Sequence, residues 1–466
     1  MLANIGGFFA DKFRKIIPDS FIFALILTFI AGVMGMVIVD GITPFKIVQA
    51  WYRGFWDLLQ FAMQMVLILV TGYAIAISEP ASRIIDMLAS RIKKPIMVYA
   101  IVVFTGGVFV LISWGLIVLT AVLARELAAR VKKVDYRLLT ACVYVSFLPW
   151  HGGLSGSIPL TMNTPNNFLI AGGVVQSTIP TSFTLASSMN IVCGLLLLII
   201  LPILMILMIP GDNKIRSFDD LKEDGAQKKE SSIAEEAGAL KLPGKNLSDI
   251  LNNSFIIQIL ISIAGLWYII WHFLNRGFDL NLNIMNFIFI IAGLICHRTP
   301  ARYAVAMKRS CSNVSGIILQ FPFYAGIMGI MIYTGLGKII AAWIVGCASV
   351  ATFPFISLLI GGIMNIFVPS GGGEWAVIGP TIMEAAKTLG VNMPHDELTR
   401  FLARASMAAA YGDSWTNMIQ PFWTLTFLPV IARGIKMQAR DIMGYTFIAL
   451  LCSGVIFALC VSFIPI

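Results

Sequence analysis

The sequence predicts an all-α membrane protein built as an inverted repeat, with nine crossings, two re-entrant hairpins and two broken helices. Composition is the first observation behind this prediction. Apolar residues make up 58% of the chain and charged residues 12%, whereas globular domains average about 45–50% and about 25%. The charges are also clustered, which leaves repeated apolar stretches of about 20 residues, the length that crosses a hydrocarbon core.

Basic residues determine the predicted orientation. Lysine and arginine are concentrated in short segments, which the positive-inside rule places in the cytoplasm. These segments are 12–15, 83–94, 125–137, 298–309 and 433–440. The net charge of +9 therefore indicates cytoplasmic loops and no nucleic-acid partner. We expect a multi-pass protein of a bacterial inner membrane, with the N-terminus in the cytoplasm and the C-terminus outside. The first apolar stretch, Phe21–Val39, has the length of a retained helix rather than a cleaved signal peptide.

The first half of the chain, residues 1–210, alternates crossings with interrupted apolar stretches. One such stretch lies between two basic segments and is broken at Ser113-Trp114-Gly115. Because both flanks are expected in the cytoplasm, this stretch must enter and leave by one face, as a hairpin. A later crossing is broken at His151-Gly152-Gly153. The predicted crossings of this half are 19–40, 51–77, 138–165 and 184–210.

The polar stretch 211–250 has mixed charge and is predicted to be a flexible cytoplasmic linker. The second half, residues 251–466, then repeats the order of elements. An apolar stretch at 350–388 breaks at Pro369–Gly373, and a crossing breaks at Tyr411-Gly412-Asp413. The predicted crossings of this half are 254–274, 282–297, 313–335, 402–430 and 441–465. The extra crossing gives the second copy the opposite orientation, and inverted repeats with broken helices are typical of alternating-access carriers.

The breaks are the predicted binding region. Unwound backbone at membrane depth occurs only inside protein or beside water, and the N–H groups at a helix start suit an anion. The plainer alternatives are a sharp turn at the glycines and hydrogen-bonded packing for the polar side chains. The candidate substrate-binding residues are Ser113, Trp114, Gly115, His151, Gly152, Gly153, Ser155, Ser370, Gly371, Gly372, Gly373, Trp375, Ser414 and Asn417.

Glu374 and Asp413 are the candidate ion-coupling residues. A charged side chain at membrane depth costs roughly 2.5–3.5 kcal/mol on insertion scales, so such residues are usually functional. The coupling ion is expected to be H⁺ or Na⁺, with no cofactor and no metal site. His151 either titrates near neutral pH or has a structural role. An interfacial position for the two carboxylates is the alternative to coupling.

Specific motifs extend this prediction to a family. They are Gly54-Phe55-Trp56 with Leu59-Gln60-Phe61-Ala62-Met63-Gln64-Met65, the Pro369–Trp375 segment, and Tyr411-Gly412-Asp413-Ser414-Trp415-Thr416-Asn417-Met418. With these motifs the chain resembles the short-chain fatty acid transporter family, which includes acetoacetate/butyrate-type uptake carriers of bacteria. The resemblance covers nearly the whole chain except 211–250. It implies membership of a larger ion-transporter superfamily, a homodimer, and a transport domain that moves as an elevator against a scaffold.

The residues and the resemblance together favour an ion-coupled carrier of small organic anions such as butyrate or acetoacetate, with membrane lipid as the surrounding partner. The carboxylate is expected between the two tips and the two breaks, and the apolar tail against Trp114, Trp375 or Trp415. The alternatives are a dicarboxylate or other organic-anion carrier, and a cation/proton antiporter on the same fold. A membrane enzyme is disfavoured because the sequence has no HExxH, GxSxG or CxxC motif.

Overall fold

The structure is a computed structural model that describes residues 20–211, 215–222, 231–241, 246–311, 314–420 and 422–466. Over these residues the chain consists of helices joined by short turns and loops, with an isolated β-bridge between Lys222 and Ile435. The predicted all-α class is confirmed.

The helices of the first half alternate between long apolar rods and short segments. They are α1 (Ser20–Ile38), α2 (Pro44–Asp57), α3 (Leu59–Ala76), α4 (Glu79–Arg91), α5 (Pro95–Ile112), α6 (Ile117–Arg130), α7 (Tyr136–Val145), α8 (Ser157–Asn163), α9 (Phe168–Ala171) and α10 (Ser188–Leu207).

The described part of the linker contains the short α-helix Ile233–Ala239, and a second one, Leu247–Asn252, joins the linker to the second half. The helices from the linker onward are α11 (Ile233–Ala239), α12 (Leu247–Asn252), α13 (Phe255–Arg276), α14 (Leu282–His297), α15 (Pro300–Cys311), α16 (Ser315–Tyr333), α17 (Leu336–Cys347), α18 (Phe353–Asn365), α19 (Gly371–Leu389), α20 (His395–Thr416), α21 (Thr424–Ile431) and α22 (Met443–Phe463).

Several helices begin where a side chain caps the first turn. Thr43 accepts a hydrogen bond from the backbone N–H of Lys46, and Pro44 occupies the first position of α2. Ser187 accepts from the N–H of Asn190 at the start of α10. These are the residue types that satisfy the unpaired N–H groups of a helix start.

Several helices are suited to crossing a membrane. Among the described residues, those that are long and apolar enough are Leu59–Ala76, Pro95–Ile112, Ser188–Leu207, Leu247–Arg276 and Met443–Phe463. Ile318–Tyr333 and Leu336–Cys347 pass the same test as a pair, bent by 74°. Nine crossings stay a prediction. The crossing expected near 51–77 corresponds to the apolar helix Leu59–Ala76. It begins later than expected because α2 ends at Asp57 and α3 begins after Leu58, whose φ and ψ are −100° and 4°.

Both predicted hairpin tips are interruptions between two helices. α5 ends at Ile112, Ser113 is extended, and Trp114–Leu116 forms a 3₁₀ turn before α6. In the second half α18 and α19 are separated by a short turn in which Ser370 is extended. α5 packs on α6, and α18 packs on both α19 and α20. Entry and exit by one membrane face stay a prediction.

The first broken helix lies where it was predicted. α7 ends at Val145, a 3₁₀ turn covers Trp150–Gly152, and α8 begins at Ser157. The position predicted for the second break is wrong. α20 continues through Tyr411-Gly412-Asp413 to Thr416, and a 3₁₀ turn follows only at Asn417–Ile419.

Close packing explains the difference at the second break. A Cβ on Gly412 would press on the carbonyl oxygen of Leu358 and lie 2.5 Å from the nitrogen of Gly362, so this glycine lets α18 and α20 approach closely. The helix ends because Pro421 follows Gln420 in the sequence. A residue before proline is forced out of the helical region, and Gln420 has φ −117° and ψ 146°.

Two described parts of the predicted flexible linker are folded onto the rest of the protein. α11 packs on α15. Upstream, Tyr136 at the start of α7 donates its N–H to the carbonyl of Arg216 at 2.8 Å. Lys436, after α21, donates its N–H to the carbonyl of Leu221 at 2.9 Å. Residues 215–222 therefore form a strap that joins α7 to the segment after α21.

Candidate functional site

The second tip, the first break and the second broken helix meet around His151. This histidine lies in the 3₁₀ turn of the first break and is fully buried. Its ring centroid is 3.6 Å from that of Trp150. The neighbours of the imidazole are Asp413 of α20 and Gly371 at the start of α19. Elements from both halves of the chain therefore converge on one side chain.

The polar contact of this cluster is between His151 and Asp413. Nε2 of His151 lies 3.1 Å from Oδ2 of Asp413, and both side chains are fully buried. Nδ2 of Asn417 lies 3.4 Å from the same oxygen. Oδ1 of Asp413 and Nδ1 of His151 have no hydrogen-bond partner among the described residues. A buried carboxylate needs donors or a counter-charge, so Asp413 is suited to interact with a proton or cation.

Glu374 places a second carboxyl group in this cluster. It lies in the first turn of α19, is fully buried, and faces the carboxyl group of Asp413. No donor group in the described part of the chain reaches either of its oxygens. Two facing carboxylates in a buried site repel unless they share a proton or a cation. Both carboxyl groups are buried within the protein, and their depth in the membrane stays a prediction.

Gly371 leaves no room for a side chain at the second tip. A Cβ there would press on Nε2 of His151, 2.6 Å from Cε1 of its ring and 2.8 Å from Cη2 of Trp150. The helix start of α19 thus lies directly against the imidazole. The first-turn N–H groups of a helix lack intrahelical partners, so this close approach brings backbone donors to the buried cluster.

The first tip joins the cluster through the first break. The N–H of Trp114 donates to Oγ of Ser155 at 3.0 Å. The N–H of Leu154 donates to the carbonyl of Leu111 at 2.7 Å, and Gly153 lies against the backbone of the same residue. Ser113 is buried, and its Oγ has no partner within the described ranges. The structure thus brings both predicted tips and both broken helices together.

The remaining glycines of the second tip face an apolar wall formed by Phe61, Met65, Phe321 and Tyr324. A Cβ on Gly372 would lie 3.0 Å from Cζ of Phe61 and 3.2 Å from Sδ of Met65. A Cβ on Gly373 would lie 2.7 Å from Cδ2 of Tyr324. The wall belongs to α3 and α16. Its side chains are the apolar groups nearest to the tip on that side.

The other predicted residues have mixed positions. Gly115 packs on the backbone of Gly72, and the carbonyl of Gly152 accepts from Asn190. Ser414 and Trp375 are buried, and their polar atoms have no partner in the residues that the structure describes.

Trp415 is not part of the cluster, contrary to its predicted contact with the substrate tail. Its Nε1 donates to the carbonyl of Leu450 at 2.8 Å, and its ring packs on Gly362 and Gly454. The side chain is therefore used to pack α20 on α18 and α22.

Sequence reasoning missed an amide network beside the cluster. Asn365 and Gln420 are buried and hydrogen-bonded to each other and to Asn417. Tyr144 donates to the carbonyl oxygens of Asn417 and Gln420 at 2.6 and 2.9 Å. An asparagine near the end of an otherwise apolar hairpin helix was the available signal, because polar side chains in membrane segments usually bond across helices.

Known proteins with related sequences decide the family. A family model described as "Short chain fatty acid transporter" matches residues 1–464. The chain belongs to the short-chain fatty acid transporter family. A relative from Escherichia coli (strain K12) is 38% identical over 464 residues, covering 98% of this chain and 99% of the relative. One from Haemophilus influenzae is 35% identical over 475 residues, covering 100% of each. Both are provisionally named as short-chain fatty acid transporters.

Solved structures support the transporter fold of this family member. The YdaH transporter of Alcanivorax borkumensis aligns with a TM-score of 0.53 at 15% identity, covering 96% of this chain and 97% of that one. MtrF of Neisseria gonorrhoeae, described with a class of antimetabolite efflux pumps, aligns with a TM-score of 0.53 at 16% identity and 95% coverage of each. Together with the apolar helices, family membership identifies a multi-pass inner-membrane transporter and not an enzyme.

Proposed function

We propose that this transporter carries short-chain monocarboxylates such as butyrate or acetoacetate, coupled to a proton or sodium gradient. The observation that carries the proposal is the buried His151–Asp413–Glu374 cluster, closed on one side by the glycine tip of α19. The names of the two relatives support the substrate class.

The substrate carboxylate is held by neutral donors in this proposal. The N–H groups at the start of α19 supply hydrogen bonds and a partial positive charge. Two arginines near the hairpin and the broken helix, Arg125 and Arg404, are engaged elsewhere. Arg125 donates to the carbonyls of Val430 and Arg433, and Arg404 donates to the carbonyl of Val461. Both satisfy carbonyls near helix ends, which supports recognition without an arginine.

Coupling follows from charge. Glu374 and Asp413 already place two carboxyl groups in a buried site, and the substrate brings a third. Repulsion between buried carboxylates falls when one of them binds a proton or when a cation lies between them. Substrate and cation then favour one another's binding, and this favourable interaction is thermodynamic coupling. His151, fully buried against Asp413, is a candidate for holding the proton.

The movement in this proposal is an elevator displacement of the hairpins and broken helices against the remaining helices. Hydrogen bonds tie the moving group together, as between Trp114 and Ser155 and between His151 and Asp413. The contacts that Gly372 makes with the apolar wall are van der Waals contacts. Such contacts slide at lower cost than buried hydrogen bonds break. The proposal includes a homodimer, which rests on the family resemblance.

Three alternatives to the uptake of monocarboxylates remain. Efflux is favoured by the likeness to MtrF, which is described with efflux pumps. A cation/proton antiporter would use Glu374 and Asp413 without any carboxylate substrate. A dicarboxylate carrier would need a second anion-binding group near the cluster.

The test is transport in proteoliposomes. Counterflow of labelled butyrate is expected with the purified protein, and an imposed pH or sodium gradient should drive accumulation. Asp413→Asn should retain counterflow and lose accumulation, while the exposed Asp86→Asn should behave as wild type. Cation flux without butyrate counterflow would overturn the proposal in favour of an antiporter. Counterflow of labelled succinate that butyrate does not inhibit would select the dicarboxylate carrier.

A further inference from the structure

Asn365 lies between the second tip and the break that follows α20, and its side chain is fully buried. Its Nδ2 is 2.8 Å from the carbonyl oxygen of Asp413, 2.9 Å from Oγ1 of Thr416 and 3.1 Å from Oδ1 of Asn417. Its Oδ1 accepts from Nε2 of Gln420 at 2.9 Å. A primary amide offers two N–H donors and one carbonyl, so the three acceptors share two N–H groups and the carbonyl also has a partner.

This network determines which way the Asn417 amide faces. Its oxygen accepts from Nδ2 of Asn365 and from Nε2 of Gln420, the latter at 2.9 Å. Because the network fixes the oxygen end, the nitrogen end must face Oδ2 of Asp413, at 3.4 Å. The carbonyl of Asn417 is in turn held by Tyr144. The orientation of the Asn417 amide at the Asp413 carboxylate thus depends on Asn365, which does not itself contact the side-chain oxygens of Asp413.

We propose that Asn365 is a positioning residue for cation coupling. It holds the Asn417 amide so that an N–H is directed at the Asp413 carboxylate, beside the imidazole of His151. This inference rests on the proposed function, because it takes Asp413 to be a coupling group. Substitution of a residue that orients a functional side chain commonly changes activity, even when that residue does not contact the ligand.

A purely structural role predicts a different outcome. The same bonds satisfy the carbonyl of Asp413 and the side chain of Thr416, where the helix ends, and carbonyls near a helix end lack partners. If closing the break were the whole role, loss of Asn365 would lower the amount of folded protein and leave the coupling of that protein intact. The coupling ratio, gradient-driven accumulation divided by counterflow, separates these cases.

Asn365→Asp is the sharpest variant, because it keeps the shape and replaces the Nδ2 donor by an acceptor. We expect the coupling ratio for butyrate to fall about tenfold, the scale of one lost buried hydrogen bond, with counterflow retained. The matched control is Asn286→Asp, a buried amide whose Nδ2 donates to the carbonyl of Gln64 at 3.1 Å.

A wild-type ratio for Asn365→Asp would overturn the inference. An equal loss in Asn286→Asp would do the same. If Asn365→Asp is not recovered from the membrane, Asn365→Ser removes the same Nδ2 donor without adding a charge, and a wild-type ratio in that variant refutes the positioning role. A wild-type protein whose butyrate accumulation responds to neither gradient refutes the coupling part of the proposed function, before any variant is compared.

Discussion

Replacing Gly371 by alanine tests the central contact of the cluster. The added Cβ would lie 2.6 Å from Cε1 of His151, whereas ordinary contact begins near 3.4 Å. The imidazole must therefore retreat by 3.4 − 2.6, or about 0.8 Å, and it is fully buried with Trp150 beside it. A retreat of this size lengthens the 3.1 Å contact with Asp413 to at most about 3.9 Å, when it points directly away from the carboxylate, which is outside hydrogen-bond range.

The expected magnitude follows from this displacement. Loss of a hydrogen bond to a charged group costs about 1.5–3 kcal/mol, which corresponds to about 10- to 150-fold in transport rate. Crowding adds about 1–3 kcal/mol of destabilisation. The assay is initial butyrate uptake in proteoliposomes at matched protein content, with folding checked by size-exclusion chromatography.

Two other glycines provide matched controls. Gly372→Ala meets the flexible ends of Phe61 and Met65 at 3.0 and 3.2 Å, so these side chains need to move by only a few tenths of an ångström. Uptake should fall less than about threefold. Gly346→Ala meets nothing within 4 Å and should transport as wild type. If Gly371→Ala transports as well as Gly346→Ala, the packing of the tip on the imidazole has no functional role.

Three further predictions concern topology, stability and specificity. In a background without native cysteines, Phe278→Cys should be labelled from outside and Lys436→Cys only from the cytoplasm. Labelling of both cysteines from the same side would refute the predicted topology. Asp135 accepts two backbone N–H bonds, so Asp135→Ala should lower the free energy of unfolding by about 2–3 kcal/mol. The exposed Asp86→Ala should lower it by less than about 0.5 kcal/mol, and equal shifts in thermal midpoint would contradict this. Phe61→Ala should raise the preference for six-carbon over four-carbon acids about tenfold, measured by competition against labelled butyrate, because each buried methylene contributes about 0.8 kcal/mol. An unchanged preference would show that the substrate tail does not contact the apolar wall.

The positions of the interruptions were largely predictable from the sequence. Ser113 and the glycines after Ser370 lie between long apolar runs, where any loss of helix must be sheltered by protein. Glycine lowers helix propensity, and the helices are interrupted beside these glycines, at Ser113 and Ser370; a sequence displays such signals directly. The first break at His151 is of the same kind. Charge distribution and apolar length were likewise sufficient for the membrane class.

The error at the second break arose because two roles of glycine look alike in a sequence. Gly412 lets α18 approach α20, whereas a proline ends the helix a few residues later. Only the position of α18 in space separates these roles. Asn365 was missed for the same reason, because its partners at Asn417 and Gln420 are distant in the chain. The asparagine itself is visible in the sequence, but the identity of such long-range hydrogen-bond partners is not.

The linker contacts both groups of helices that the proposed movement would separate. The strap packs Phe218 on Tyr136 at the start of α7, with ring centroids 5.2 Å apart, and buries Leu221. α11 packs instead on α15, next to α3 and the apolar wall, where Nε of Arg309 donates to Glu236 at 2.8 Å. That ion pair is partly exposed, and such pairs contribute about 0–1 kcal/mol. Buried aromatic and backbone contacts are harder to break. If the hairpins and broken helices move against the remaining helices, the contact between α11 and α15 should therefore break first, and the strap should move with α7.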